Sequence, residues 1–469
     1  MTSRTNPSRW YFERGDQDGK RTLSEVREAS SRERPILLRG ATIVSMDPEV
    51  GDFTEGDVLI RGDSIIEVSA DAGTHPDARG AVPVDLRGMI LLPGLVDAHR
   101  HCWQGQFRRS MPDADLEEYI AAMHGSLAPR YEPDDIAIGT LVSLLASLNS
   151  GVTTVLDFSH NARTPEHSDA AFRSYEQSGI RAVHAAAAPR VGAAGHWPED
   201  AVRLRSAWAR RGNARVSVRL GLYTPQRDRM AELIAYGRDN ALAISVDAVA
   251  GDSGSDLVLE LSRRGSLGRD ITLIHCTGLN HEAWMAIADS GARVTMAPTS
   301  DSLIGLGNGS APVHEVLARS VCASISTDVE VSLGGDMFAE MRAALVEQRR
   351  VVQARRAAGS CDRARIDARA VLEFATMGGA HAVGLADTVG SLTPGKAADI
   401  IGIRGQDVET MPMNSPVGTA VLAGSPGLVD FVLASGAPRK WSGKLLDADI
   451  DALRERVVQS RNRIEDQAQ

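Results

Sequence analysis

Two histidines separated by one residue, His99 and His101, end the apolar run Leu91–Ala98. Side chains alternate between the two faces of a strand, so both imidazoles should project together from a strand end. Paired imidazoles can chelate a divalent metal ion. Two unrelated histidines on a polar strand end would give the same local pattern. Arg100 alternates away from its neighbours, and we interpret it as a tie between this strand and an adjacent loop.

Further histidines and aspartates stand at or just past the ends of other apolar runs: His160, Asp247, His275 and Asp328. Such a ligand set predicts a metal site, with zinc (Zn²⁺) first and iron (Fe²⁺) second. A bound metal would lower the pKa of water and produce a nucleophile near neutral pH. Asp328 could then both bind the metal and take the water proton, while His275 could polarise the substrate or orient the nucleophile. Gln104 and His160 are predicted as substrate contacts.

Eight strand-sized apolar runs alternate with helix-sized amphipathic stretches. They are the run ending at Ala98, Val152–Asp157, Arg181–Ala187, Val216–Leu222, Leu242–Asp247, Ile271–His275, Arg293–Ala297 and Cys322–Asp328. This repeat predicts an α/β fold, a (β/α)8 TIM barrel, whose active residues meet at the carboxyl ends of the strands. A doubly wound open sheet is the alternative, but no Gly-x-Gly-x-x-Gly follows the first strand.

Further β segments stand on both sides of the barrel. They are Ile36–Val44, Asp57–Val68 with a Gly62-Asp63 hairpin turn, Gly390–Ile403 and Leu428–Gly436. The economical interpretation is one small β-sandwich built from both ends of the chain. The predicted order is an amino-terminal arm (1–34), the first part of the sandwich (35–92), the barrel (93–388), the second part of the sandwich (389–446) and a carboxyl-terminal helix (447–469). The arm, with a short helix near Thr22–Arg32, is expected to be disordered or packed on a partner.

The composition is that of an ordinary soluble globular protein. The 469 residues carry a formal net charge of -10 and no Lys/Arg-rich run, which argues against nucleic acid or an anionic membrane as a partner. The first ten residues lack the apolar segment of a signal peptide. The four cysteines have no paired spacing, which fits reduced thiols in a cytoplasmic protein.

Several motifs in this order resemble the amidohydrolase superfamily, in its branch of cytosine deaminase and the triazine hydrolases and chlorohydrolases. The matching stretches are Pro93–His101, Ser150–Val155, Ile274–Leu279, Ser326–Asp328 and Gly390–Asp399. The resemblance implies metal-dependent hydrolysis of a small N-heterocycle or cyclic amide: deamination, dechlorination or amide C–N cleavage. With the tryptophan of the arm, Trp10, it also predicts a homodimer or larger homo-oligomer.

One position departs from this pattern. The resemblance implies a metal-binding histidine at the end of the fifth barrel strand and a catalytic glutamate three residues later, where this chain has Asp247 and Ala250. We expect Asp247 to replace the histidine as a metal ligand. Two alternatives remain at this point: a metal-free acid–base enzyme, such as a lyase, isomerase or cyclase, and a non-catalytic binding protein.

Overall fold

The computed structural model describes residues 16–192, 195–212, 215–361 and 365–467. These residues form two compact units. The first contains the described residues up to Leu95, together with Leu148–Thr153 and Asp387–Asp447; the second contains Val96–Ser147, Thr154–Ala386 and the described residues from Ala448. Within this described part, no helix combines the length and the apolar character needed to cross a bilayer.

Between residue 16 and the barrel, the structure has five strands: β1 (Pro35–Ile43), β2 (Phe53–Arg61), β3 (Ser64–Ser69), β4 (Val82–Asp85) and β5 (Met89–Pro93). Gly62 and Asp63 form the predicted turn between β2 and β3, which pair antiparallel.

The barrel strands match the eight predicted runs. They are β6 (Leu95–Arg100), β7 (Val152–Ser159), β8 (Arg181–Ala187), β9 (Val216–Tyr223), β10 (Ile244–Ala250), β11 (Ile271–Thr277), β12 (Arg293–Met296) and β13 (Ala323–Ile325). They follow one another in sequence order around a single sheet. The barrel closes where Asp328 N donates to His99 O at 3.1 Å and His101 N donates to Asp328 O at 3.1 Å. The (β/α)8 prediction is confirmed.

The α-helices that accompany these strands are Leu116–Tyr119, Pro133–Asn149, Pro165–Ser178, Glu199–Arg210, Met230–Asp239, Gly251–Arg263, His281–Ser290, Pro298–Ser300, Val313–Ala318, Met337–Ala357, Ala368–Phe374, Met377–Val383 and Ile450–Asp466. Local sequence sets several helix ends. Asp336 caps the long helix Met337–Ala357 by accepting from Ala339 N at 3.0 Å, which satisfies one of the free amides of its first turn.

After the barrel come β14 (Ile400–Arg404), β15 (Val429–Ala434), β16 (Ala437–Trp441) and β17 (Lys444–Leu445), with the helix Pro416–Leu422. These strands and β1–β5 form one nine-stranded mixed sheet. Ile65 N on β3 donates to Lys396 O at 2.9 Å, so the sheet curls until its edge meets the segment before β14. Residues from both halves, among them Val58 and Phe431, share one core. The predicted sandwich is therefore a single curled sheet.

The amino-terminal segment differs from its prediction. Residues Asp16–Ser31 form a helix whose Val26 and Ala29 are buried in the core of this sheet. These two residues pack on the core of their own unit. Apolar positions are sparse in the helix, which is why the sequence suggested an unattached arm. Trp10 lies outside the described residues.

Arg100 ties the first strand of the barrel to the loop after β13, as predicted. Its guanidinium is 1% exposed, with Nη2 2.7 Å from Glu330 Oε1 and Nη1 3.2 Å from Asp97 Oδ2. Thr327 Oγ1 accepts a further bond from Nη1 at 3.1 Å. Removing this cation would leave the buried Asp97 carboxylate without its counter-charge and Glu330 with Arg108 alone.

We expect Arg100→Met to lower the free energy of unfolding by about 3–5 kcal/mol, the usual cost of breaking a buried ion pair. Urea denaturation followed by circular dichroism measures the change. Arg454→Met is the control, because Arg454 pairs with Asp451 at the surface and its loss should change little. Equal stabilities for both variants would contradict the assignment.

Candidate active site

Five side chains from four barrel strand ends meet at the mouth of the barrel, and all are buried. His99 and His101 come from β6, Asp247 from β10, His275 from β11, and Asp328 follows β13. Asp328 Oδ1 lies 3.1 Å from His99 Nε2 and 3.2 Å from His101 Nε2. Asp247 Oδ1 lies 3.7 Å from His99 Nε2 and 3.2 Å from His275 Nε2. The structure thus brings these sequence-predicted residues together.

The donor atoms of this cluster suit a divalent cation. Two overlapping triads, His99–His101–Asp328 and His99–Asp247–His275, each offer ligand atoms within 4.8 Å of one another. Neither ring nitrogen of His99 has a hydrogen-bond partner in the described part of the chain, although the ring is fully buried. A buried imidazole without hydrogen bonds destabilises the fold unless another partner, such as a metal ion, binds the lone pair of its nitrogen. His101 Nδ1 lies 3.1 Å from Phe158 O, which assigns a proton to Nδ1 and leaves Nε2 as the ring nitrogen that faces the carboxylates.

The charges of the cluster reinforce one another. Burial raises the pKa of Asp247, but His99 and His275 outweigh it and the net pKa is below the ordinary value. Burial likewise raises the pKa of Asp328, and His101 and His99 bring it well below the usual range. Both carboxylates are therefore ionised at neutral pH. For His275, burial alone would lower the pKa. Asp301 and Asp247 raise it by more than burial lowers it, so the net pKa is well above its usual value.

The backbone is left-handed at several of these strand ends. Residues His275, Cys276, Asp328 and Ala248 have φ values of 75°, 57°, 57° and 59°. Non-glycine residues adopt this region at a cost, and such residues concentrate at functional sites. No sequence pattern indicated this conformation.

Two cysteines near the cluster have no catalytic role in this geometry. Cys102 and Cys276 are buried, and burial raises the pKa of both thiols well above the usual range. A thiolate is the nucleophilic form, so both side chains serve as small apolar fillers.

A short segment after β12 holds the cluster from one side. Asp301 Oδ1 accepts from His275 Nδ1 at 2.7 Å, and Ser300 Oγ donates to Asp328 Oδ2 at 2.5 Å. Glu340, on the helix Met337–Ala357, anchors the segment by accepting from Thr299 N at 3.0 Å and from Thr299 Oγ1. Burial raises the pKa of Glu340 to about 8.

Sequence reasoning missed Ser300, Asp301 and Glu340. The polar run Thr299-Ser-Asp301 directly after the seventh barrel strand was the available signal, since strand ends supply the site in a barrel. Glu340 gave no signal, because its role depends on a contact between two distant segments.

A cavity opens beside the cluster. Besides cluster residues, its lining includes Leu116, Tyr119, Ile120, His124, His160, Arg190, Ile304 and Leu306. His160 therefore lies where a substrate contact was predicted. Gln104 is not among the residues that line this cavity; its amide Nε2 donates to the hydroxyl of Tyr119, which is, at 2.7 Å. Tyr119, His124 and Arg190 were not identified from the sequence, because they lie in loops and helical turns rather than at strand ends.

Residues 90–424 match the sequence profile of the amidohydrolase family. The chain belongs to the amidohydrolase family. Its relatives include a 5-methylthioadenosine/S-adenosylhomocysteine deaminase of Moorella thermoacetica, 28% identical over 432 residues that cover 88% of this chain and 96% of the relative. The membership confirms the resemblance to the deaminase and chlorohydrolase branch and makes the protein a hydrolase acting on carbon–nitrogen bonds other than peptide bonds.

Solved structures show the same fold. An adenosine deaminase from Xanthomonas campestris with bound zinc superposes with a TM-score of 0.79 at 23% identity, covering 92% of this chain and 98% of that one. A mutant of atrazine chlorohydrolase TrzN from Arthrobacter aurescens, complexed with zinc and atraton, gives 0.78 at 23% identity, with coverages of 92% and 100%. Both amidohydrolase-fold neighbours were thus determined with zinc.

Proposed function

We propose that this amidohydrolase is a zinc-dependent deaminase of a small N-heterocycle of the adenine-nucleoside type. The observation that carries the proposal is the convergence of three histidines and two aspartates at the barrel mouth, with a buried His99 that lacks any hydrogen-bond partner within the described residues. The deaminase relative and the zinc-containing fold neighbours support the choice of reaction and metal.

In this proposal His99, His101, Asp247 and Asp328 would hold the zinc ion. Zinc, when bound, supplies the Lewis acidity that makes water nucleophilic near neutral pH. Asp328 accepts the proton of the attacking water, because its carboxylate is ionised and Ser300 fixes its orientation, and then returns this proton to the departing amino group, which leaves as ammonia. His275, held by Asp301 and carrying a proton, has its Nε2 3.2 Å from Asp247 Oδ1, and from there its positive charge stabilises negative charge that develops at the reacting centre.

The test is turnover of a panel of adenine nucleosides by the zinc-loaded protein. We expect ammonia release from at least one of 5'-methylthioadenosine, S-adenosylhomocysteine and adenosine. Removal of the metal with a chelator should abolish the reaction, and zinc should restore it; anaerobic reconstitution with Fe²⁺ tests the alternative metal. Unchanged turnover after complete metal removal, or no turnover of any nucleoside, would contradict the proposal.

Substitution of Glu340 tests whether the segment Thr299–Asp301 positions the proposed metal ligands. We expect Glu340→Gln to weaken zinc binding about 10-fold, the low end of the range for an outer-shell partner, because Glu340 holds Thr299 and not a ligand itself and glutamine keeps one of its two acceptors. Competition with a chromophoric chelator measures the affinity. Glu347→Gln is the matched control, because Glu347 lies on the same helix and contacts Ser310 and Arg350 instead. Identical affinities for the two variants would show that Glu340 does not position the cluster.

Two further proposals concern the protein as a whole. We propose a homo-oligomer, in line with the family resemblance; light scattering should give a mass above 50.0 kDa, and a mass near that value at micromolar concentration would contradict it.

We also propose a reducing, cytoplasmic compartment, because all four cysteines are free thiols.

A further inference from the structure

One polar group of the cavity has no role in the reaction described so far. His160 follows β7, lines the cavity and is 2% exposed. Trp103 Nε1 donates to its Nδ1 at 3.1 Å. An indole N–H can only donate, so His160 Nδ1 is an acceptor and carries no proton. The ring proton of His160 therefore lies on Nε2.

This Nε2–H has no partner in the described part of the chain. The bond from Trp103 accounts for Nδ1, and the ring lines the cavity, so Nε2 is the polar atom of His160 left to face it. Neighbouring rings fix the orientation of the imidazole. It stacks on His101 with 4.2 Å between centroids and an interplanar angle of 11°, and His124 packs edge-on at 4.6 Å.

We propose that His160 donates its Nε2–H to an acceptor atom of the substrate ring, an unprotonated ring nitrogen or a carbonyl oxygen, and that Trp103 is the positioning residue that fixes this tautomer. The inference rests on the proposed function and specifies its substrate: a flat heterocycle that presents an acceptor toward His160. The apolar side chains of Leu116, Ile120 and Ile304 line the same cavity and suit the faces of such a ring.

The bond would have a chemical consequence. Attack of water on a ring carbon moves electron density onto the adjacent ring nitrogen, and a fixed donor at that nitrogen stabilises the charge. A neutral imidazole can act in this way as a hydrogen-bond donor without transferring its proton. Ala250 stands where the family resemblance implies a glutamate, so the chain needs a donor from elsewhere, and His160 offers one.

The tautomer can be measured without any substrate. Long-range ¹H–¹⁵N spectra of ¹⁵N-histidine-labelled, zinc-loaded protein distinguish protonated from unprotonated ring nitrogens, and loss of signals in His160→Gln assigns the residue. We expect an unprotonated Nδ1 and a protonated Nε2 at neutral pH, with both tautomers populated in Trp103→Phe. An Nδ1–H tautomer or an imidazolium in the wild type would overturn the inference, as would an unchanged spectrum in Trp103→Phe.

Kinetics on the nucleoside that the panel identifies test the contact with substrate. His160→Phe keeps the stacked ring and removes the donor, and we expect kcat to fall about 10²- to 10³-fold, as for loss of one oxyanion donor, with unchanged zinc content. His160→Gln retains an N–H and should retain more activity. His167→Phe is the control, because His167 is buried and bonded to Tyr131 O but does not line the cavity.

Purine analogues in which one ring nitrogen is replaced by C–H then identify the acceptor. As competitive inhibitors of the wild type, one analogue should bind at least about tenfold more weakly, and His160→Phe should not discriminate against it. Full activity in His160→Phe, or equal discrimination in both proteins, would overturn the inference. A wild type inert toward the whole panel would instead contradict the proposed function, and the tautomer measurement would still decide the state of His160.

Discussion

Asp247→Asn is expected to lower kcat/KM at least about 100-fold and to reduce the zinc content of the purified protein, because a charged ligand is replaced by a neutral one of the same size. In the structure Asp247 lies within 4.0 Å of His99, His101 and His275. The neutral amide would remove charge from each of these contacts. Metal analysis and steady-state kinetics measure the two effects.

The same residue predicts an unusual pH dependence. A carboxylate ligand adds negative charge to the metal centre and makes it a weaker Lewis acid than an imidazole would. The acid limb of the pH–rate profile should therefore lie above neutral pH, and Asp247→His should move it to lower pH. Asp252→Asn is the control, because that exposed aspartate begins the next helix. Full turnover and unchanged zinc content in Asp247→Asn would reduce Asp247 to a strand-end residue.

Asp328→Asn should have the larger effect on turnover itself. We expect kcat to fall by about 10² to 10⁴, the range for loss of a general base, since an amide cannot take the water proton. The variant also loses the charge that faces His99 and His101 at 3.1 and 3.2 Å. Single-turnover kinetics at matched zinc occupancy separate proton transfer from metal loss.

Asp336→Asn controls for the chemical change on the same loop. Asp336 caps the following helix, and asparagine caps a helix about as well as aspartate does, so the control should behave as the wild type. Wild-type kcat in zinc-loaded Asp328→Asn would show that another group accepts the proton.

Much of the barrel could be predicted because its information is local. The runs at Arg181–Ala187 and Ile271–His275 are apolar throughout, as strands buried on both faces must be, and the structure has strands there. The spacing of His99 and His101 needed only the alternation of a strand. The strands β4 and β17 were not predicted, because they are too short to show a recognisable alternation of apolar and polar residues.

The parts that could not be predicted depend on contacts across the chain. Asp301 bonds to a residue 26 positions away and Glu340 to one 41 positions away, and nothing in the sequence around either residue records its partner. Gln104 illustrates the opposite case. Its place near His101 suggested a substrate contact; in the structure its amide Nε2 bonds to Tyr119, which lines the cavity, so the substrate contact stays a prediction.

In the proposed enzyme, the seam that closes the barrel would couple metal binding to folding. The first and last strands meet through backbone bonds between His99, His101 and Asp328, the same residues whose side chains would share the zinc ion. An ion that binds this seam only in the folded chain would stabilise it by about 2.7 kcal/mol at a free concentration 100 times its Kd. Scarcity of zinc would then act on the abundance of the protein as well as on its turnover, because an open seam exposes strand edges to proteases.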